Sequence, residues 1–296
     1  MAQMRAVLLF MGFMALTALS IPIQFVLVRV SASAARHFPS VYFKAVCALV
    51  GIRIRAKGRL MRERPVLLAA NHTSYFDIVI LGSLGPVSFI SKSEVADWPL
   101  FGTLARLART VFVERQRRSK TGQHRDMIQA RLYDGDSLVL FPEGTSTDGN
   151  HVLTFKSALM GAAQPAPCTA GSDPREIWVQ PVAVAYTRLH GLPMGRLFRP
   201  FFAWYGDMDL VPHLWEAFQM GPFDVDVHFY PPVRHRDFAS RRDMAAHCEH
   251  IVAAGVGHAL SGRSGLAEPD AEALDPAARN GSADPAVVLA AWGATG

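Results

Sequence analysis

The sequence predicts an α/β fold with a largely parallel central sheet flanked by helices, preceded by an N-terminal membrane-anchoring helical segment. Two observations carry this prediction. Short apolar runs rich in branched or aromatic residues alternate with helix-like segments through the middle of the chain, which favours parallel strands joined by helices. From Ala6 to Val28, in contrast, no residue is charged. The chain has 296 residues and is 50% hydrophobic, which is enough for one large core.

The N-terminal segment is long enough to cross a hydrocarbon core at about 1.5 Å per residue. A cleaved signal peptide is the alternative, but the uncharged run exceeds the usual apolar region of about 7–15 residues. Pro22 and Gln24 interrupt the run, so a kinked span and a pair of helices inserted into one leaflet both remain open. Most charged residues between positions 29 and 64 are basic. This bias predicts that the body of the protein lies on the cytoplasmic face of a membrane, the inner membrane in a bacterium.

The remaining elements follow from local hydrophobic patterns. Strands are predicted at 52–57, 66–70, 87–90, 110–113, 137–141, 177–185 and 225–230. Helices are predicted at 41–50, 78–84, 100–107, 122–133 and 241–260. Segment 191–222, crowded with Pro, Gly, Phe and Trp, predicts a long apolar elaboration that contacts lipid or packs into the core. These elements divide the chain into a membrane anchor at 1–38, a folded domain at 39–262 and a disordered tail at 263–296.

Composition limits the partners and cofactors. The net charge of +5, concentrated in particular segments, favours an anionic surface as partner. The three cysteines, Cys47, Cys168 and Cys248, are far apart and in no metal-like spacing, so neither a disulfide framework nor a zinc site is predicted. A basic stretch from Arg106 to Arg125 is suited to an acidic carrier protein or to lipid headgroups. It lacks interleaved exposed aromatic residues, and the chain carries a predicted membrane anchor, which together argue against a nucleic-acid partner.

The first candidate for chemistry is His72, which follows the predicted strand at 66–70 and precedes a predicted helix. Histidine is a general base with a suitable pKa in its ordinary state. Asp77 lies five positions further on, where it could hold the second ring nitrogen and stabilise the imidazolium. Alone this spacing is weak, because a helix cap, a buried histidine and a surface acid give the same pattern.

A second stretch strengthens the first. Phe141, Pro142, Glu143 and Gly144 follow the strand at 137–141, at the end of a strand where loops carry chemistry. A Pro followed by Glu-Gly makes a tight turn that exposes a carboxylate and backbone amides, which suits a polar acceptor. A turn with no function would not require this particular order of Phe, Pro, Glu and Gly, although Glu-Gly turns are common.

Together the two stretches resemble motifs of the glycerolipid acyltransferases, typified by 1-acylglycerol-3-phosphate acyltransferase. The positions that match the family's first motif, Asn-His-x-Ser-x-x-Asp, are Asn71, His72, Ser74 and Asp77. Those that match its third motif are Phe141, Pro142, Glu143, Gly144 and Thr145. The second block is matched by Lys92, Glu94, Pro99, Gly102 and a strand that ends at Arg115, and the fourth by the apolar run 179–184. The motifs lie in the family's order, which makes 39–262 an acyltransferase domain.

The resemblance implies direct acyl transfer from a thioester of acyl carrier protein or coenzyme A to the hydroxyl of a membrane lipid. His72 would remove the hydroxyl proton and Asp77 would orient His72. Lys92 or backbone amides would stabilise the oxyanion. The chemistry implied requires no metal and no bound cofactor. The residues that the resemblance assigns to the acceptor are Arg115, Glu143, Gly144 and Thr145.

One position departs from the family's pattern. Its third motif usually continues Thr-Arg-Ser, whereas Ser146 stands here in place of the arginine. A hydroxyl lacks the charge and the paired donors that suit phosphate, so an acceptor without a phosphomonoester becomes credible. The stretch as a whole looks like the branch that contains lyso-ornithine lipid O-acyltransferases. Lys156 and Arg188 are candidates for the missing positive charge, so 1-acylglycerol-3-phosphate remains an equal alternative.

Two other classes of function stay open. A lipid ester hydrolase would also use a His-Asp pair, although the sequence has no Gly-x-Ser-x-Gly nucleophile elbow. A non-enzymatic membrane scaffold would keep the fold without the chemistry. Rapid ester hydrolysis in the absence of an acyl acceptor would indicate the hydrolase. Unchanged acyl transfer by a His72→Ala variant would indicate the scaffold or a different active site.

Overall fold

A computed structural model gives the fold and describes residues 1–62, 65–114, 121–164 and 176–262. The tail at 263–296, Cys168 and Arg115 lie outside the described residues, so the predictions made for them stay predictions. In the described part, Cys47 and Cys248 are both buried free thiols.

Two long helices begin the chain, α1 (Ala2–Val30) and α2 (Ala32–Val50). The prediction of a helix at 41–50 was too short, because Ser31 starts α2 nine residues earlier by accepting a hydrogen bond from the backbone of Ala34 at 3.2 Å. Pro22 lies within α1 and does not end it. Gln24 does not interrupt it either, because its side-chain amide donates to the carbonyls of Ala35 and Leu107 at 2.9 and 2.8 Å. The expected boundary between 38 and 39 lies within α2, and the division into domains stays a prediction.

The strands form one sheet, in the order β1-β8-β6-β2-β5-β3-β4, with the short β7 and β9 paired to β6. The strand bounds are β1 (Ile52–Lys57), β2 (Val66–Ala70), β3 (Val87–Lys92), β4 (Val111–Val113), β5 (Ser137–Leu140), β6 (Trp178–Leu189), β7 (Leu192–Pro193), β8 (Phe223–Phe229) and β9 (Val233–Arg234). From β6 to β4 the main strands are parallel. Strands β1 and β8 are parallel to each other and antiparallel to β6. The largely parallel sheet predicted from the sequence is confirmed.

Helices cover both faces of the sheet. Their bounds are α3 (Phe76–Leu84), α4 (Phe101–Leu107), α5 (Thr121–Tyr133), α6 (Gly195–Phe198), α7 (Leu210–Met220) and α8 (Arg241–Leu260). Side chains of β2 alternate between the two faces, so Val66 and Leu68 join the core with α2 and α3, whereas Leu67 and Ala69 join the core with α5 and α8. The domain is therefore a three-layer α/β/α arrangement.

Segment 191–222 contains β7, α6 and α7, and it both packs inward and remains exposed. Phe202 and Phe218 are buried in the core. Leu197 and Phe198, by contrast, are exposed. Helix α7 packs on α1, which joins this apolar elaboration to the N-terminal helices.

Candidate active site

The two sequence motifs meet at one edge of the sheet. Strands β2 and β5 are parallel neighbours, so their carboxyl ends lie side by side. The first motif follows β2 and the third follows β5. The backbone amide of Thr147 donates to the carbonyl of His72 at 3.0 Å, which ties the two loops together. Parallel pairing thus brings together residues that are about 70 positions apart in sequence.

His72 and Asp77 form the pair that the sequence predicts. The Nδ1 atom of His72 lies 2.9 Å from Oδ2 of Asp77. The same carboxylate oxygen accepts from the backbone amides of Thr73 and Ser74 at 2.7 and 2.9 Å. The Asp77 side chain has 0% of its surface exposed and that of His72 has 21%. The aspartate is therefore fixed inside the protein, while the ring it holds is open on one side.

A tyrosine that the sequence did not assign to the site completes the support of Asp77. The hydroxyl of Tyr186, in β6, donates to Oδ1 of Asp77 at 2.8 Å. Burial raises the pKa of the Tyr186 hydroxyl well above its ordinary value, and the nearby charge of Asp77 raises it further. The hydroxyl therefore keeps its proton and remains a donor. The signal in the sequence is a tyrosine in the apolar run after Pro181, but only the pairing of β6 beside β2 gives it a partner.

Asn71 serves the backbone rather than the substrate. Its side-chain amide donates to the carbonyl of Val184 at 2.9 Å, and its oxygen accepts from the amide of Val184 at 2.8 Å. This reciprocal pair extends the contact between β2 and β6 past the end of the strand. Ser74 is also fully buried beside Asp77. Asn71 through its side chain and Ser74 through its backbone amide thus hold the loop that carries His72.

Glu143 lies beneath His72. Its two oxygens accept from the backbone amides of His72 and Leu153 at 2.7 and 2.8 Å. The residue is 1% exposed, and burial is the main cause that raises its pKa from 4.5 to about 7. The predicted contact of Glu143 with the acceptor stays a prediction. What the geometry supports is a positioning role, in which the carboxyl fixes the backbone of the base.

The other residues of the third motif, Phe141, Pro142, Gly144 and Thr145, surround His72 and the turn after β5. The ring of Phe141 stacks on that of His72 with centroids 4.0 Å apart and an interplanar angle of 16°. Pro142 is buried, and Gly144 has φ of +75°, in the left-handed region that glycine adopts without strain. A Cβ atom at Gly144 would lie 2.9 Å from Nζ of Lys156, so the lysine crosses close over this turn. Thr145 is exposed beside it.

The departure at Ser146 has a structural counterpart. The Ser146 hydroxyl donates to the backbone carbonyl of Trp204, and the amide of Trp204 donates to the carbonyl of Thr73 at 2.9 Å. Segment 191–222 therefore contacts the loop after β2 and the loop after β5 through the backbone of Trp204. Arg199 in the same segment is 4% exposed and donates to Asn150 and to the carbonyl of Tyr186. Its burial lowers its pKa.

The other predicted residues take different positions. Lys92 is an exposed residue at the carboxyl end of β3, and its predicted role at the oxyanion stays a prediction. Arg115, as stated, is outside the described residues. Arg188 is half-buried near the end of β6. In the parts of the chain that the structure describes, no group of three or more His, Cys, Asp or Glu side chains is arranged to hold a metal ion.

The geometry defines the class of chemistry. A half-open histidine whose Nδ1 is held by a buried carboxylate leaves Nε2 to take a proton from a substrate hydroxyl. The site lies at the carboxyl edge of a parallel sheet, where open α/β folds bind their ligands. The fold and the geometry of the site are compatible with an enzyme that uses general base catalysis.

Comparisons with known proteins give the family within this class. The family model described as Acyltransferase matches residues 51–185, a range that includes both motif loops. A lyso-ornithine lipid O-acyltransferase of Brucella abortus is 47% identical over 88% of this chain and 96% of its own length. A 1-acyl-sn-glycerol-3-phosphate acyltransferase of Neisseria gonorrhoeae is 33% identical over 62% of this chain and 67% of its own length. The chain belongs to the acyltransferase family, and it is a lysolipid acyltransferase.

A solved structure supports the fold. The crystal structure of the 1-acyl-sn-glycerophosphate acyltransferase PlsC from Thermotoga maritima matches with a TM-score of 0.62 over 90% of this chain and 100% of the other. At 22% sequence identity this likeness shows the fold alone.

Proposed function

We propose that the protein transfers a fatty acyl group from the thioester of acyl carrier protein or coenzyme A to the free hydroxyl of lyso-ornithine lipid. The observation that carries the acceptor assignment is the replacement at Ser146, whose hydroxyl is bonded internally to Trp204 instead of offering a guanidinium to phosphate. The names of the relatives at 47 and 42% identity, both lyso-ornithine lipid O-acyltransferases, support the same acceptor.

The charges beside Ser146 fit this acceptor better than a phosphomonoester. Two residues on, partial burial acts to raise the pKa of the Asp148 carboxyl, but the hydrogen bonds from Asn150 and the nearby His151 together outweigh it, so the pKa is lowered. Its side chain is 30% exposed. An ornithine headgroup offers an ammonium group to such a carboxylate, whereas a phosphate would be repelled by it. Lys156, above Gly144, remains available to the carboxylate of the same headgroup.

The reaction needs one base. His72 Nε2 takes the proton of the acceptor hydroxyl as the hydroxyl oxygen attacks the thioester carbonyl carbon. Asp77 stabilises the imidazolium that forms. The carbon–sulfur bond then breaks, the ester remains on the acceptor, and the imidazolium returns its proton to the thiolate that leaves. Phe141, stacked on the ring, and Glu143, bonded to the backbone of His72, keep Nε2 aimed at the opening.

The membrane association that we propose is along one leaflet rather than across the bilayer. Helix α1 is the one described helix that is long and apolar enough to span a membrane. It is attached to the domain along its length: Arg5 donates to the carbonyl of Val50, Thr17 bonds Tyr42 at 2.9 Å, and Gln24 reaches Leu107. A spanning α1 would therefore draw the polar body of the domain into the hydrocarbon, which has no water to solvate it.

The faces of α1 support a lipid contact. Its buried side carries the small or polar residues Ala6, Thr17, Ser20 and Gln24. Its exposed side carries large apolar residues, among them Leu8 and Leu19, each 65% exposed. This is the reverse of a surface helix in water, and it fits a helix whose outer face lies in lipid. We place the enzyme on the cytoplasmic leaflet because of the basic residues that follow α1.

The acceptor assay tests the proposal. Purified full-length protein is given acyl carrier protein or coenzyme A thioesters of one fatty acid, with lyso-ornithine lipid or 1-acylglycerol-3-phosphate as acceptor. We expect faster turnover of lyso-ornithine lipid and none with His72→Ala. Faster turnover of 1-acylglycerol-3-phosphate would overturn the acceptor assignment.

Two controls address the alternative functions. Release of free fatty acid at the same rate without an acceptor would instead identify a hydrolase. Unchanged transfer by His72→Ala would show that His72 is not the base and would reopen the scaffold interpretation.

A further inference from the structure

A cavity of about 490 Å³ lies between the N-terminal helices and the sheet edge, with one basic and one apolar wall. The residues that line it are Val28, Ala32, Ala35, Arg106, Arg109, Thr110, Phe112 and Arg131. None of these lining residues is acidic. The apolar wall comes mainly from the junction of α1 and α2, and the basic wall comes from α4, α5 and the loop before β4.

The basic wall carries more positive charge than its nearest carboxylate neutralises. Asp136 is 5% exposed and pairs with three guanidiniums: Arg36 at 2.9 Å, Arg109 at 2.9 Å and Arg131 at 2.6 Å. Arg106 is exposed at the cavity, and its side chain forms no hydrogen bond or ion pair with any residue that the structure describes. Three guanidiniums thus pair with one carboxylate, and a fourth, that of Arg106, lines the same cavity as Arg109 and Arg131. This excess of positive charge leaves a site suited to an anion.

This cavity is separate from the active site. Arg109 and Thr110 precede β4 and Asp136 precedes β5, so the cavity lies at the amino ends of the parallel strands. His72 and Glu143 follow the carboxyl ends of β2 and β5. A strand of four or five residues separates the two edges by roughly 15 Å. The acyl-transfer chemistry therefore does not account for the arginines.

We propose that the cavity binds an anionic phospholipid of the surrounding membrane, with its phosphate on Arg106 and Arg109 and an acyl chain along Val28, Ala32 and Phe112. Basic and apolar residues line the same cavity, which fits a ligand with a charged head and an apolar chain better than a free ion. The lipid-facing helix α1 forms part of the wall through Val28. A basic pocket beside a membrane-embedded helix is a recurrent arrangement for headgroup binding. The site goes beyond the proposed function, because its ligand is not a substrate.

The test uses two variants and one matched control in the full-length protein. Arg106→Ala removes the exposed cation without touching the Asp136 cluster, and Ala32→Phe fills the apolar wall without changing charge. Arg29→Ala removes an exposed arginine of α1 that does not line the cavity. Native mass spectrometry in detergent measures the binding of phosphatidylglycerol and, for comparison, of phosphatidylcholine with the same chains. Inorganic phosphate at the same concentration is the competitor.

We expect one phosphatidylglycerol per chain, little phosphatidylcholine, and no displacement by equimolar phosphate. Arg106→Ala is expected to weaken the binding by roughly fivefold, as for one basic residue at an anionic lipid surface. Ala32→Phe should weaken it at least as much, whereas Arg29→Ala should bind like the wild type. Acyl transfer in micelles that lack anionic lipid should be unchanged in all three variants, so a failure of the proposed function would show in the wild type itself.

Three results would overturn the proposal. Equal weakening by Arg29→Ala and Arg106→Ala would show diffuse attraction instead of a site. Displacement of the lipid by equimolar phosphate would assign the cavity to a free anion. An increase in the KM for acyl carrier protein with Arg106→Ala, without any change in lipid binding, would assign it to docking of the donor.

Discussion

Replacing Asp77 by asparagine should remove the negative charge beside His72 while keeping the hydrogen bonds that Asp77 makes in the site. The Oδ2 position accepts three donors, from His72, Thr73 and Ser74, so the oxygen of the new amide must occupy it. The amide nitrogen then faces the hydroxyl of Tyr186, which can rotate to accept. The variant is therefore expected to fold with the ring of His72 in place and only the negative charge lost.

The loss of that charge sets the size of the effect. In the transition state His72 becomes an imidazolium, and the carboxylate attracts it across a separation of about 4 Å between the charge centres. At the effective dielectric of a protein site this attraction is worth about 4 kcal/mol. A barrier higher by that amount lowers kcat by ~10³-fold. The KM for the acceptor should change little, because Asp77 is fully buried and its side chain is not accessible from the opening of the site.

The assay is acyl transfer from a thioester to lyso-ornithine lipid in detergent micelles, with kcat and KM measured separately. Asp207→Asn is the matched control, since Asp207 is exposed and outside the site. Thermal unfolding shows whether each variant is folded. A folded Asp77→Asn variant that keeps more than about a tenth of the wild-type kcat would refute imidazolium stabilisation by Asp77.

Four further predictions test other parts of the structure. Because burial raises the pKa of Glu143 from 4.5 to about 7, the folded protein keeps a proton that the unfolded chain releases, so the protein loses stability as pH rises through that window. Glu143→Gln should remove this loss, roughly 3 kcal/mol at most, from the difference between the unfolding free energies at pH 5 and pH 8. Parallel plots of unfolding free energy against pH for the wild type and the variant would contradict this prediction. Tyr186→Phe should lower kcat roughly tenfold by removing the second donor to Asp77, and an unchanged kcat would leave Tyr186 a packing residue. Ser146→Arg should raise the turnover of 1-acylglycerol-3-phosphate relative to lyso-ornithine lipid, which the competition of the two acceptors measures; an unchanged ratio would remove position 146 from acceptor choice. Leu19→Glu, on the exposed side of α1, should reduce vesicle binding by about tenfold or more, whereas the same change at exposed Met127 on α5 should not, and equal effects would argue against lipid contact through α1.

The sequence predicted the local elements well where their signal is local. The strand before His72 and the strand before Glu143 are short apolar runs bounded by turn residues, and both are where the pattern places them. The pair His72 and Asp77 is close in sequence, so its geometry follows from one turn and the start of α3. The start of α2 was missed because a run of Ala and Ser carries little hydrophobic periodicity, and its only marker is the cap at Ser31.

The features that the sequence interpretation did not include depend on contacts between distant segments. Nothing near Tyr186 indicates a partner 109 positions away, and the bond to Asp77 exists only because β6 lies beside β2. Strands β1 and β8 run antiparallel to β6, but their alternation of apolar and polar residues is the same as it would be in strands parallel to β6. Burial of Glu143 against the backbone amides of His72 and Leu153 was likewise not expected from the sequence, and its contact with the acceptor stays a prediction.

The sequence by itself determined the family, the close spacing of His72 and Asp77, and the apolar N-terminal segment, because each depends on residue types that lie near one another in the chain. Only the tertiary structure decided how these parts act together. It placed Tyr186 on Asp77, turned the small and polar side of α1 inward, and gathered three arginines around Asp136. The physical reason is that strand order and helix packing bring together groups far apart in the chain, and no local pattern encodes which of them will meet.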